Sequence, residues 1–270
     1  TMSLGAGNSA TMTLLSTGDV GIGTTAPDGS LHVYSGSAGS MTPVGNYDDL
    51  IVENSTHAAI SIWAPDDSQS ALNFASPSDS GGAYVTWVHD TNLMTVGTTN
   101  TGGIVKFISD DGVEAMRIDS SQNVGIGTTV PDGPLHVFSG SAGSVTADAG
   151  GNELVLENSD HVGMSFLSPN DKSAYIMFGD PDCDEVGMIT YGHSSNNLDF
   201  YVNDAHAMRI NSSQNVGVGT TAPDGKLHVF AGSAGSVTAH GNGDKLVVEH
   251  SGTTGMSFLS PDDASQYIYF

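Results

Sequence analysis

The chain has 270 residues, and because 30 of them are Asp or Glu while only 6 are Lys or Arg, its formal net charge is −24. So few basic side chains argue against binding to nucleic acid, whose phosphates Lys and Arg neutralise, and against an anionic membrane surface. Charged residues make up 13 % of the chain and glycine contributes 35 residues. This composition disfavours helices and suits short strands separated by turns.

Cysteine content and hydropathy narrow the possible classes of protein further. The single Cys183 rules out an intramolecular disulfide framework. No stretch approaches the ~18 consecutive apolar residues of a membrane span, so membrane insertion is not expected. No signal peptide is visible at the start of the sequence.

A glycine motif occurs three times and organises the chain. It begins at Val20, recurs 104 residues later at Val124, and recurs 92 residues after that at Val216. Each copy runs from Val-Gly-Ile/Val-Gly through Pro-Asp-Gly into Leu-His-Val and an aromatic residue, and ends in a Ser/Gly/Ala linker such as residues 35–40. Repetition at this scale indicates a protein built from tandem structural units.

Within each motif, β-branched residues occupy one face of a short strand and glycines occupy the other. A glycine face weakens a strand unless another backbone approaches it closely. Pro-Asp-Gly then predicts a tight turn, and Leu-His-Val restarts a strand. The motif therefore predicts an element wound against copies of itself from other chains, since a slender chain buries more apolar surface by trimerising.

Short apolar or alternating runs lie between the motifs and are separated by Asn, Asp, Ser, Gly and Pro. This pattern is typical of antiparallel β-sandwich or jelly-roll-like modules, and no sustained 3.6-residue apolar stripe predicts a helix. The first full repeat carries an extra Gly/Thr-rich excursion between Leu93 and Val113. In the second full repeat the predicted strands are residues 154–157, 163–167, 175–178, 187–191, 198–202 and 207–210.

The predicted domain organisation is a series of β modules and glycine-motif connectors. Aligning the repeats pairs Thr1 with Asn197 and Phe270 with Phe178, so we interpret the chain as part of a longer polypeptide. In chain order the elements are the end of a truncated module (1–14), a connector (15–45), module 1 (46–118), a connector (119–149), module 2 (150–210), a connector (211–243) and the start of a truncated module (244–270).

The repeat resembles a known family. Arg-Ile-x-x-x-x-Asn-Val-Gly-Ile-Gly-Thr-Thr-x-Pro followed by Leu-His-Val resembles the repeat of bacteriophage tail fibres and related virion appendages, and residues 178–193 resemble the β module between such motifs. The resemblance covers nearly the whole chain and implies an elongated homotrimeric β fibre, joined by intertwined glycine-rich connectors, on an extracellular virion. Family members are often followed by an endosialidase-type intramolecular chaperone domain, which is not seen here. Thr13 stands where the motif has Arg.

Two groups of residues are candidate metal ligands. The turn Asp180-Pro181-Asp182-Cys183-Asp184-Glu185 alternates acids as a calcium loop does, but it lacks the glycine and the distal bidentate Glu, so a solvated acidic turn is the better interpretation. His32, His136 and His228 occupy the same place in each motif. Rings of these histidines on a trimer axis could coordinate a metal, but a packed, hydrogen-bonded histidine is the favoured interpretation.

No catalytic constellation emerges from the sequence. Gly21-x-Gly23 lacks the remaining features of a phosphate loop, and no Gly-x-Ser-x-Gly elbow occurs. Trp63, Trp87, Tyr84 and Tyr191 are candidates for stacking on sugars, yet strand positions favour sheet-face packing. No catalytic, cofactor-binding or metal-binding residue is therefore assigned, and the chain is not expected to be an enzyme.

The sequence thus predicts a structural component of a phage tail fibre or virion appendage. Its expected partners are copies of itself in a homotrimer, other virion proteins and a host-surface glycan or protein, which loops such as 93–113 would touch. Two alternatives stay open at this point. One is a bacterial surface adhesin or extracellular filament, and the other is a polysaccharide-depolymerising spike, although the long repeat period argues against the β-helix typical of the latter.

Overall fold

A computed structural model describes residues 1–6 and 9–257. These residues form twenty strands and no helix, which confirms the all-β prediction. The described residues include no helix that is long and apolar enough to cross a membrane. The chain divides into two compact units, Thr1–His161 and Val162–Phe270.

Thirteen strands belong to the first unit and form three sheets, ordered β1-β2-β3-β4-β5, β6-β7-β8 and β13-β12-β11-β10-β9. They are β1 (Met2–Ala6), β2 (Ser9–Leu14), β3 (Val20–Ile22), β4 (Leu31–Tyr34), β5 (Leu50–Glu53), β6 (Gln69–Ser76), β7 (Asp79–Val88), β8 (Leu93–Thr98), β9 (Val105–Ser109), β10 (Val113–Ile118), β11 (Val124–Ile126), β12 (Leu135–Phe138) and β13 (Leu154–Glu157).

The second unit contains one seven-stranded sheet whose spatial order follows the chain order. Its strands are β14 (Ser173–Phe178), β15 (Gly187–Gly192), β16 (Asn197–Val202), β17 (Ala205–Ile210), β18 (Val216–Val218), β19 (Leu227–Phe230) and β20 (Leu246–Glu249). Strand β13 matches its predicted bounds, and β14 to β17 contain the four predicted strands that follow. The structure gives no strand to the predicted segment 163–167.

The glycine motif of each connector begins a set of three parallel strands, whose third member lies in the following predicted module. The prediction of antiparallel modules did not include this parallel pairing. Strands β3, β4 and β5 pair in parallel, as do β11 to β13 and β18 to β20. Loops over residues 23–30 and 35–49 make the crossovers without a helix. The sheets consequently cross the predicted boundary between residues 45 and 46, because β5 pairs with β4. Residues 258–270 of the last predicted module, including Phe270, lie outside the described residues.

The predicted excursion near residues 93–113 separates two sheets. In the second repeat, β16 pairs with β15 on one side and with β17 on the other. In the first repeat, β8 pairs with β7 and β9 pairs with β10, so two strands replace one. The extra residues therefore end one sheet and begin another.

The sheets are amphipathic, yet their apolar faces are not covered within the chain. The strand register aligns one row of apolar side chains across all seven strands of the second unit. That row is Ile176, Ile189, Phe200, Met208, Val218, Val229 and Val248. No apolar side chain among the described residues is buried. Within the first unit, strands contact closely only their hydrogen-bonded neighbours, so no two-layer sandwich forms there from one chain.

Candidate functional site: a histidine clamp in each repeat

The opposite face of the seven-stranded sheet carries a polar row. Strand pairing sets Asp199, Arg209, Gly217, His228 and Val247 side by side on β16 to β20. Equivalent rows in the other connectors contain Gly21 beside His32 and Gly125 beside His136. The alternation within each glycine motif therefore places its histidine and glycine on one face and its valine and isoleucine residues on the other.

The glycine of this row is required because a crossover loop lies directly on it. A Cβ placed on Gly125 would lie 2.7 Å from the carbonyl oxygen of Thr128, and one on Gly21 would lie 2.5 Å from that of Thr24. Real Cβ atoms do not approach a backbone oxygen so closely. The backbone that the glycine face was predicted to meet is thus present, but it belongs to the same chain.

The histidine of each motif is completely buried under this loop. The exposed fractions of His32, His136 and His228 are 1, 2 and 2 %. In each copy, ring atom Nδ1 accepts a hydrogen bond from the backbone N–H of the Pro-Asp-Gly aspartate, at 3.3, 3.2 and 3.2 Å. The ring also makes an edge-on contact with the aromatic residue two positions later.

A glutamate at the end of the next parallel strand completes the arrangement. This glutamate is Glu53, Glu157 or Glu249 in the three repeats. The distance from its Oε2 to Nε2 of the clamp histidine is 3.1, 3.2 and 3.1 Å respectively. Its Oε1 accepts the backbone N–H of Ala38, Ala142 or Ala234 in the second crossover. We call the aspartate, histidine and glutamate of each copy a histidine clamp, because together they hold both crossover loops on the sheet.

The hydrogen bond at Nδ1 assigns the histidine tautomer. An atom that accepts a backbone N–H carries no proton, so the proton of the neutral ring resides on Nε2, facing the glutamate. Nε2 and Oε2 are within ion-pair distance, but their alignment is too poor for a hydrogen bond, and Nε2 has no other partner among the described residues. The contact is therefore electrostatic.

The clamp is a poor metal site despite its composition. One ligand atom from each of its three residues lies within 4.8 Å of the others. However, Nδ1 is engaged by the aspartate N–H, and the Asp28 carboxylate lies on that side of the ring, 3.9 Å from Nδ1. Only Nε2 and Oε2 remain together, whereas structural zinc uses four ligands. Each histidine is buried beneath loops of its own chain and accepts a hydrogen bond at Nδ1, which is the arrangement of a packed histidine.

An arginine ties the preceding strand to the same loop. Arg209 donates two hydrogen bonds to Asp199, from Nε at 2.6 Å and from Nη2 at 2.9 Å, and its Nη1 donates to the carbonyl of Thr221. Burial acts to raise the pKa of Asp199, but hydrogen bonds from Arg209 and His206 outweigh it and hold this pKa below its ordinary value. Asp199 is only 6 % exposed, so the pair is well shielded from solvent.

The equivalent positions in the other repeats differ. Arg117 donates to Glu114 of its own strand and to the carbonyl of Thr129. Thr13 is 1 % exposed, and its Oγ1 has no hydrogen-bond partner among the described residues. Replacement of arginine by threonine therefore removes the link between β2 and the crossover loop in the first repeat.

The acidic turn at residues 180–185 is organised by its own backbone. Asp180 Oδ1 accepts hydrogen bonds from the N–H groups of Asp182 and Cys183, both at 2.9 Å. This is an Asx turn, in which the carboxylate completes the backbone hydrogen bonding. Within residues 1–6 and 9–257, the clusters of three potential metal ligands are the three clamps, and this turn does not form one.

The candidate sugar-stacking aromatics lie on different elements, and two of them lie on opposite faces of one strand. Tyr84 and Trp87 project to opposite faces of β7, because their positions differ by an odd number. Trp63 is 90 % exposed outside any strand, and Tyr191 lies on β15 of the second unit. Tyr84 and Trp87 therefore cannot stack together on one ligand from β7.

Sequence reasoning found the histidine of the clamp and missed its glutamate partner. A signal was present, because the glutamate follows the histidine by 21 residues in all three repeats. No protein-family model and no curated protein matches the chain. The repeat and the geometry of the clamp are therefore the observations that bear on function.

Proposed function

We propose that the chain is a structural component of a phage tail fibre or virion appendage, in which a repetitive homotrimeric shaft positions host-binding regions. Its partners are then copies of itself, other virion proteins and, through loops such as 93–113, a host-surface glycan or protein. The chain acts outside the cell and has no catalytic role.

One observation carries the homomeric part of this proposal. Every connector presents a charge-free apolar face, and the described residues bury no apolar side chain. On these faces Ile22, Ile126 and Val218 are 43, 40 and 39 % exposed. An apolar face that recurs and stays exposed in this way marks a protein–protein interface.

A second copy of the chain is the partner that fits these faces. The same apolar pattern recurs at all three connectors, so a copy presents matching faces at matching intervals. Among the charged residues of the paired strands, the clamp glutamates, Asp199, Arg117 and Arg209 lie on the opposite, loop-covered side. The apolar faces can therefore join without burying these carboxylates against each other. Sheets from different chains that pack face to face would then supply the sandwich layers that one chain lacks.

The viral setting is supported by the resemblance of the Val-Gly-Ile-Gly and Leu-His-Val repeat to tail-fibre repeats. Immunogold labelling of virions with an antibody to this chain tests that setting. Labelled appendages are expected, and labelling of cell-surface filaments instead would favour the adhesin alternative.

Light scattering with sedimentation velocity tests the assembly. We expect three times the chain mass and a high frictional ratio, and a compact monomer would overturn the proposal. Val218→Asp places a charge on the apolar face and should lower the oligomer mass. Ser212→Asp adds the same charge at an exposed turn position and should leave it unchanged.

A further inference from the structure

Two segments have a strand pattern in the sequence but no strand in the structure. Residues 57–64 read His-Ala-Ala-Ile-Ser-Ile-Trp-Ala, and residues 161–168 read His-Val-Gly-Met-Ser-Phe-Leu-Ser. Each alternates apolar residues with smaller ones, as a half-buried strand does. The structure assigns neither strand nor turn to residues 57–65 or 161–169, so the two repeats agree.

These segments leave both their backbone and their apolar side chains without partners in the described chain. Residues 57–64 and 162–168 make no backbone hydrogen bond to another described residue. Ile60, Met164 and Phe166 are 66, 57 and 46 % exposed. Neither segment contains Asp, Glu, Lys or Arg. A free sheet edge can accept an uncharged apolar segment with an unpaired backbone as an additional strand.

The free edges next to these segments are β6 and β14, each of which pairs on one side only. A segment could reach β14 of its own chain by a hairpin through the turn in which Lys172 donates to the Pro169 carbonyl. That turn fixes the register, so Phe166 would face Tyr175 and Met164 would face Met177.

This intrachain register places the apolar side chains on the wrong face. The apolar face of β14 carries Ile176 and Phe178, whereas Tyr175 and Met177 share the face of Asp199 and Arg209. The turn between Pro65 and Ser68 has the same consequence in the first repeat, where Ile62 would face Ala71 and Ile60 would face Asn73. A slip by one residue moves every side chain to the opposite face, and the turn does not permit that slip.

We propose that residues 57–64 and 161–168 become β-strands only in the oligomer, where each adds to the free edge of β6 or β14 of a neighbouring copy. Pairing between chains is free of the turn, so the segment adopts the register that joins its apolar side to the apolar face. This inference rests on the proposed homomeric assembly and locates the exchange between chains outside the glycine motif.

Disulfide trapping between two differently tagged chains tests the exchange. In a Cys183→Ser background, one chain carries Met164→Cys or Phe166→Cys and the other carries Ile176→Cys. After co-assembly and mild oxidation, at least one combination should give a covalent pair of unlike chains. Phe200→Cys replaces Ile176→Cys as the control, because it lies on the same face two strands from the edge and should not react.

The outcomes separate this inference from the proposed function. A trimer by light scattering in which neither combination cross-links overturns strand exchange and leaves the assembly intact. The same follows if a chain carrying both cysteines closes an internal disulfide instead. A monomer overturns both proposals.

A backbone variant provides a second test that needs no cysteine. Ser165→Pro removes an N–H from the middle of the segment, whereas Ser165→Ala keeps it. We expect the proline variant to raise the concentration of half-dissociation by about tenfold or more, which corresponds to about one lost hydrogen bond per interface, while the alanine variant stays unchanged. Equal effects of the two variants would contradict the proposal.

Discussion

Gly125→Ala tests whether the crossover loop lies on the sheet as described. The new Cβ would lie 2.7 Å from the Thr128 carbonyl oxygen and 3.5 Å from Arg117 Cγ. Ordinary contact begins near 3.4 Å, so the loop or the strand must move by about 0.7 Å. The obstructing atom belongs to the backbone of a loop that the clamp holds in place, so it cannot move aside as the end of a flexible side chain could. Overpacking of this kind typically costs about 1–3 kcal/mol.

Thermal unfolding followed by circular dichroism measures this cost. For chains of this size, 1 kcal/mol corresponds to about 2–4 °C, so a fall of several degrees is expected. Gly97→Ala is the matched control, because a Cβ at Gly97 in β8 meets nothing within 4 Å. Relief of glycine entropy should make the control neutral or slightly stabilising. Equal melting temperatures for the two variants would refute the placement of the loop.

Three further predictions concern buried polar groups and charge. Thr13→Val should raise stability by about 1 kcal/mol, because it replaces a buried hydroxyl that has no partner among the described residues. The stabilisation by the Asp199–Arg209 pair should be lost in acid. The pKa of Asp199 is lower in the folded chain than in the unfolded one, so the pair's contribution to folding stability is complete at neutral pH. This contribution disappears as the pH falls through the folded pKa, below about pH 4. The melting temperature should rise between dilute buffer and about 0.5 M NaCl, because salt screens the repulsion among chains of charge −24.

A different result would contradict each of these three predictions. Denaturant midpoints of Thr13→Val at or below the parent value would show that the hydroxyl is satisfied. For the acid effect, Asp199→Asn should have lower stability at neutral pH and a flatter dependence of stability on pH. A dependence parallel to that of the parent would show that Asp199 does not cause the loss of stability in acid. An unchanged melting temperature across the salt series would show that the charges are too dispersed to matter.

Local features of the sequence predicted the strands, whereas partners distant in the chain decided their pairing. Residues 154–157 form a strand with the predicted bounds because turn residues flank the apolar run on both sides. The parallel pairing of β12 with β13 was not predicted, because a helix normally makes such a crossover and no helical pattern occurs. Here the loop is held instead by Glu157, whose role depends on a neighbour 21 residues earlier in the chain.

The segment 163–167 shows the opposite case, in which a correct local pattern gives no strand. Alternation makes a segment suitable for a sheet, but hydrogen bonds to a neighbouring strand are needed to form one. Through the turn at Pro169–Lys172, β14 of the same chain offers that neighbour in a register that puts Phe166 on the polar face. Local sequence therefore cannot reveal whether the neighbour lies in the same molecule.

The division between β8 and β9 has a consequence for how the first repeat would carry a pulling force. In the second repeat, hydrogen-bond ladders run without interruption from β14 to β20, so load applied across the sheet is shared among many bonds. In the first repeat, the ladders stop at β8 and resume at β9, and the covalent link over residues 99–104 joins them. Once residues 57–64 are paired with a neighbouring copy, as proposed above, that link is the remaining break between sheets in module 1, and we expect a stretched chain to extend there before the ladders on either side open.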